Sequence, residues 1–236
     1  MPFPLDLDQS LNQGRLELTS ATQRLLGDTI GLSHRDWRMV THLPGWTRAH
    51  IATHLTHHAQ CMTTTLTQLG KQPVTWNCEL TDKDLWVGAQ RSPLELTEDL
   101  DQSSAELARA LDPLSNTNWD STVITSVGEI PSSALILDRL NEVVIHHVDL
   151  NLSIDFTDLK PELVHLLLAW NAVRLSSRFT DNEITIMTDE GDTMVVGSGA
   201  PRTVRGSQAS LLGWMVGRKG SSAILGAEEF DQPQLV

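Results

Sequence analysis

Four stretches in the first two-thirds of the chain place apolar residues at the three- and four-residue intervals of an amphipathic helix. They are LNQGRLELTSATQRLLGDTI, WTRAHIATHLTHHAQCMTTTLTQLG, PLELTEDLDQSSAELARALDPL and PSSALILDRLNEVVIHHVDLNL. Gly70 is a C-terminal stop for the second, and Pro93 and Pro131 can each open a helix in the first turn, where a missing N–H costs nothing. Beyond about residue 157 the pattern changes. A further helix, KPELVHLLLAWNAVRLSSRF, precedes two β-rich runs, EITIMTDEGDTMVVGSG and RTVRGS, and QASLLGWMVGR closes the series as a helix. TDEGDT is a hairpin turn signal. The pattern predicts an α+β chain with a helical bundle over 1–156 and a smaller α+β domain over 157–236.

Composition narrows the possible functions. A 236-residue chain with 40% hydrophobic residues can fill a substantial core. No apolar run approaches the ~20 residues of a membrane span, and MPFPLDLDQS has none of the features of a secretory leader, so a cytoplasmic protein is expected. A net charge of −13 with no Lys/Arg run argues against nucleic acid as a partner. The two cysteines, Cys61 and Cys78, form no C-x-x-C pair, and a disulfide is not expected in a reducing compartment, so thiol chemistry is expected to draw on a thiol from outside.

The second helix holds four histidines within nine positions: His50, His54, His57 and His58. On a helical wheel with His50 at zero they fall at about 0°, 40°, 340° and 80°, flanking an apolar stripe at about 100–160°. His54 and His58 lie nearest the buried side. Cys61 sits two turns beyond His54, ~10 Å along the axis, too far to share one ion with it. In the fourth helix apolar residues surround the axis, yet Arg139, Glu142, His146 and Asp149 share a stripe about 80° wide. A buried carboxylate needs compensation. Either Arg139 pairs with Glu142 or Asp149 in a structural ion network, or Glu142 and His146 join a histidine of the second helix around a divalent ion. Two imidazoles and a carboxylate make an open site, which Asp149 or Arg139 can orient. His147 points about 100° away from His146, toward packing.

The pair GWTRAHIATH and RLNEVVIHHVDL, at this separation, resembles the mycothiol-dependent maleylpyruvate isomerases of the DinB-like metalloenzyme superfamily. The resemblance extends over most of the chain and implies a DinB-like four-helix bundle followed by a sterol-carrier-like α+β domain. It implies a metal, normally zinc, held by His54, Glu142 and His146, and it selects His54 where the wheel leaves His58 open. It also implies mycothiol as thiol cofactor and an arginine near the C-terminus that meets the substrate carboxylate. The matching segment here is WMVGRKGS, which makes Arg218 the candidate, with Lys219 standing where the family segment has glycine.

The reaction that follows from the resemblance is cis–trans isomerisation of maleylpyruvate to fumarylpyruvate by thiolate addition, bond rotation and elimination. A mycothiol S-transferase acting on another electrophile, and a non-catalytic metal- or ligand-binding bundle, are the alternatives. A di-iron oxidase wants several Glu residues and Glu-x-x-His spacings, whereas Glu142 and His146 give Glu-x-x-x-His once.

Overall fold

The first helical stretch forms α1, Leu7–Thr29, in a computed structural model that describes residues 7–70, 72–112, 121–125, 128–176, 179 and 181–228, with residues 7–9 described by backbone alone. The chain divides into two units, Gln13–Ser153 and Met1–Asn12 with Ile154–Val236.

In the 13–153 unit, α1 is followed by a short α2, His34–Trp37, and by α3, Arg48–Thr67. The chain enters α3 through a tight turn in which Trp46 N–H donates to Leu43 O at 3.1 Å. Pro44 and Gly45 occupy its centre, and Gly45 has φ +83°. Proline followed by a positive-φ glycine is the chemistry of a type II turn. α5, Pro93–Leu111, starts as its sequence predicts: Ser92 Oγ accepts from Glu95 N–H, and Glu95 Oε2 accepts from Ser92 N–H at 2.7 Å. Between α3 and α5 lie β1, Val74–Thr75, and α4, Asp82–Gly88.

The fourth helical stretch starts later than its sequence predicts. Pro131 ends a strand, a 3-10 turn covers Ser132–Ala134, and the α-helix proper, α6, is Leu135–Asp149. The cause is a small sheet the periodicity does not announce: β2, Thr122–Thr125, pairs in parallel with β1 and antiparallel with β3, Gly128–Pro131. Pro131 pairs with Thr122 at the end of this ladder, where proline's missing N–H is tolerated.

The core of this unit joins Leu25 of α1, Trp37 of α2, Ala49, Ile51, Ala52 and Leu55 of α3, Leu96 and Leu100 of α5, and Val143 of α6. Each fully buried Leu or Ile contributes about 1.5–3 kcal/mol against exposure, so the apolar faces of the long helices hold α3 and α6 in place.

In the unit containing residues 154–236, α7, Pro161–Ser176, and α8, Gln208–Met215, accompany a three-stranded sheet whose central strand is the first of the three in the chain. β4, Asn182–Thr188, and β5, Thr193–Gly197, form the hairpin marked by TDEGDT, with Gly191 at φ +108° in its turn. β6, Ala200–Gly206, runs parallel to β4. Ile184, Ile186 and Val204 of the sheet and Leu167, Trp170, Leu212 and Trp214 of the helices are buried. No described helix is long and apolar enough to cross a membrane.

Candidate metal centre

The buried face of α3 and the polar stripe of α6 meet at Glu142. Its Oε2 accepts from His54 Nε2 at 3.1 Å and lies 3.3 Å from His146 Nε2. The three donor atoms lie within 4.8 Å of one another. His54 comes from α3, and Glu142 and His146 stand one turn apart on α6. The side chains retain 22%, 15% and 5% exposure, respectively, so the cluster is sheltered but reached by solvent.

The other nitrogen of His146, Nδ1, lies 3.0 Å from Asp149 Oδ2, an ion-pair contact that falls short of hydrogen-bond geometry. With Nδ1 turned toward this fully buried carboxylate, Nε2 is left to face Glu142 and His54. That is how an outer carboxylate orients a metal-binding imidazole. Two imidazole nitrogens and one carboxylate oxygen suit a divalent cation with positions left over. The residues therefore fit the ion that the sequence resemblance implies.

The electrostatics of the trio follow from burial and from its own bonds. Burial lowers the His54 pKa to about 4, against the raising effect of its bond to Glu142. His146 feels the same burial, but Asp149 and Glu142 overcome it and raise its pKa to about 9. Burial pushes the Glu142 carboxyl up, and the bonds from His146 and His54 hold it well below the usual carboxylate range. Without an ion, the trio at neutral pH is a neutral imidazole, a carboxylate and an imidazolium. A cation would replace one proton.

The arginine of G-W-T-R belongs to the frame of the site. Arg48 Nε donates to Leu150 O and Nη2 to Asn151 O, each at 2.7 Å, just past the end of α6, while Nη1 reaches Asp36 O at 3.3 Å. Asn151 has φ +52°, so the chain turns sharply there. One guanidinium thus ties the start of α3 to the carbonyls ending α6, fixing the register that brings His54 opposite Glu142 and His146.

The remaining histidines have other partners. His50 Nδ1 accepts from Thr47 N–H at 3.1 Å at the start of α3. His58 accepts from Arg139 Nη1 at Nδ1, 3.3 Å, and its Nε2 lies 3.6 Å from Asp138 Oδ2. Arg139 Nη1 also donates to Leu55 O at 2.9 Å. Burial lowers the Arg139 pKa to about 10, opposed by Glu142 and Asp138. His147 Nε2 donates to Asp28 Oδ2 at 2.9 Å. Arg218 lies in the other unit, just past α8, where its Nη1 donates to Val216 O at 2.7 Å.

Two further features bear on the site. Trp46 forms a wall: its ring centroid is 5.6 Å from that of His54 and 6.4 Å from that of His146, stacked on the latter at 9°. Its place beside the first histidine turn was the available signal. The cysteines require a correction, because Cys61 and Cys78 are disulfide-bonded, with Cα atoms 5.5 Å apart. The strand β1 carries the chain back along α3, through Trp76, whose ring lies 5.2 Å from that of His58, to Cys78.

Comparison with known proteins places the chain in a family. No curated protein sequence matches the chain. Two crystal structures resemble it, both of a mycothiol-dependent maleylpyruvate isomerase, one of them a histidine-to-alanine mutant. Each is 22% identical over 97% of this chain and 96% of the other, with TM-scores of 0.75 for the mutant and 0.74 for the other. At that identity the likeness is one of fold. The family profile described as the mycothiol maleylpyruvate isomerase N-terminal domain matches residues 18–151, more than half of the sequence, and spans α3, α6 and the trio. The chain belongs to the mycothiol-dependent maleylpyruvate isomerase family.

Proposed function

We propose that the protein is a metal- and mycothiol-dependent cis–trans isomerase that converts maleylpyruvate to fumarylpyruvate, with His54, Glu142 and His146 as ligands of a divalent cation, zinc by family resemblance. The observation that carries this reading is the convergence of His54 Nε2, Glu142 Oε2 and His146 Nε2 within 4.8 Å. In this reading residues 1–156 form a DinB-like bundle carrying the metal, and residues 157–236 form a sterol-carrier-like domain.

The bound cation would hold the cofactor's thiol as a thiolate, the nucleophile whose addition to the cis double bond permits rotation and whose expulsion leaves the trans isomer. The chain's own residues prepare for that chemistry. Glu142 supplies a full negative charge, kept ionised by its two imidazole neighbours. His54 is already neutral at pH 7, so it would become a ligand by shifting its proton from Nε2 to Nδ1, with no net charge change. His146 would give up its Nε2 proton to a bound cation, and Asp149 faces its Nδ1 and would hold the ring in place. Trp46 covers the imidazoles of His54 and His146 with an apolar face, limiting water around the trio. Arg218 is assigned to the substrate carboxylate by the family resemblance, since a guanidinium can grip a carboxylate with two parallel hydrogen bonds.

The test is to incubate purified, zinc-loaded protein with mycothiol and maleylpyruvate and follow the isomers by proton NMR. Thiol-dependent appearance of the trans product, lost on chelation, supports the reading. Consumption of mycothiol into a stable adduct, with no trans product, overturns the isomerase assignment in favour of S-transfer. Arg218→Ala is expected to raise KM at least about tenfold, since a charge-assisted contact contributes about 1.5–3 kcal/mol. An unchanged KM removes Arg218 from substrate binding.

A further inference from the structure

Helix α3 carries a second convergence of donor atoms that the Glu142-centred trio does not use. His57 and Cys61 stand one turn apart on α3, with His57 Nε2 3.3 Å from Cys61 Sγ. Cys78, from the segment after β1, closes onto them through its bond to Cys61. His57 Nε2 also donates to Glu79 O at 3.1 Å, so the ring is held facing the sulfurs. The nitrogen and the two sulfurs lie within 4.8 Å of one another. All three residues are half-buried, open to solvent and small solutes. The cluster is separate from the first, because Cys61 lies seven residues, ~10 Å, along the helix from His54.

This donor set has the chemistry of a soft cation site. Two thiolates and an imidazole select zinc-like ions over hard cations such as magnesium. Cα atoms 5.5 Å apart suit a disulfide, whose range is about 4.4–6.8 Å. The same backbone spacing accommodates sulfurs about 3.8 Å apart, the separation set by two Zn–S bonds of about 2.3 Å in a tetrahedron. Side-chain rotation alone separates the two arrangements.

We propose that His57, Cys61 and Cys78 form a second divalent-cation site, for zinc or a similarly thiophilic ion, that exists only when the Cys61–Cys78 bond is reduced. Two molecules of a small-molecule thiol supply the two electrons. The protein disulfide becomes two cysteine thiols as the small thiols join in a disulfide of their own. The cation then displaces both thiol protons, and the His57 proton passes from Nε2 to Nδ1 as its bond to Glu79 O is released, so that two thiolates and Nε2 bind the ion with solvent in the fourth position. Reoxidation of the two cysteines removes both thiolate ligands and releases the ion. The site thus couples metal occupancy to the thiol redox state, beside a centre proposed to use a small-molecule thiol.

The test uses the full-length protein and Co²⁺ alone as probe. Wild type, His54→Ala, His57→Ala and Cys78→Ser are prepared oxidised and after phosphine reduction, then titrated under anaerobic conditions. Reduced wild type should bind one more equivalent of cobalt than oxidised protein and show thiolate-to-cobalt absorption in the near ultraviolet. His54→Ala should lose the first equivalent and keep this thiolate signal, which separates the proposal from the proposed isomerase centre. Cys78→Ser should lose the signal with its circular dichroism unchanged, and His57→Ala should bind the second equivalent at least tenfold more weakly. The proposal is overturned by a disulfide that resists the phosphine, by reduced wild type without the thiolate signal, or by His57→Ala with unaltered affinity.

Discussion

The two donor clusters on α3 start from the same helix and differ in what surrounds them. The Glu142 trio is sheltered and its charges are already arranged: a carboxylate between two imidazoles, one held by a fully buried aspartate. The His57 trio is more open, faces a main-chain carbonyl in place of an acid, and has its sulfurs bonded to each other. Burial makes the first cluster expensive to leave without compensation, because an unpaired buried charge costs several kcal/mol. Exposure makes the second inexpensive to rearrange. The difference teaches that a helix rich in imidazole is not one site: the partner element decides which donor atoms each histidine meets, a carboxylate for His54 and a pair of sulfurs for His57.

The comparison is broken most severely at its carboxylate. Glu142→Gln or His146→Ala should reduce zinc affinity by well over about a hundredfold, more than the 10–100-fold typical of an outer partner, and should abolish isomerisation. Metal content after dialysis checks this. Asp149→Asn should weaken zinc binding about 10–100-fold while leaving some activity at saturating zinc, because it alters only the orientation of His146. Retention of full affinity would show that the ion-pair contact has no such role.

Proton counting sharpens the comparison further. With its pKa raised to about 9, His146 is protonated at pH 7 in the metal-free protein. Zinc uptake there should release about one proton from the trio, measured by calorimetry of oxidised protein in buffers of different ionisation enthalpy. The same shifts set the stability of the metal-free chain. The raised pKa of His146 gives stability present below its ordinary 6.5 and lost as pH rises through about 9. The lowered pKa of His54 gives stability present above 6.5 and lost as pH falls through about 4. Thermal melts in chelator should therefore peak near neutrality, and His146→Ala should flatten the alkaline side. The smallest effect is expected at the other cluster: Cys61→Ser should leave zinc content at the Glu142 trio unchanged.

Much of this was legible in the sequence, for identifiable reasons. α1, α3, α5 and α7 follow from periodicity and, for α5, from Pro93 at its start, and the β4–β5 hairpin from the TDEGDT turn. The sheet of β1, β2 and β3 was not, since strands of two to four residues are too short to alternate visibly, and it delays α6 past Pro131. The stripe on α6 announced Glu142, His146 and Asp149, because charge on an all-apolar helix demands a partner. Choosing His54 over His58 was beyond the helical wheel. Arg139 and Asp138 engage His58, a tertiary fact that spacing does not carry. The pairing of Cys61 with Cys78 depends on how β1 turns the chain back along α3, and no local pattern encodes that return.

The most direct measurement is the optical spectrum of the cobalt-substituted Cys61→Ser/Cys78→Ser protein during titration with mycothiol. Cys61 and Cys78 are the only cysteines of the sequence, so without them any sulfur-to-cobalt absorption must come from the added thiol. The account predicts that this absorption rises to saturation at one thiol per cobalt and vanishes when His54→Ala is added to the cysteine-free protein. A spectrum that mycothiol leaves unchanged would contradict it.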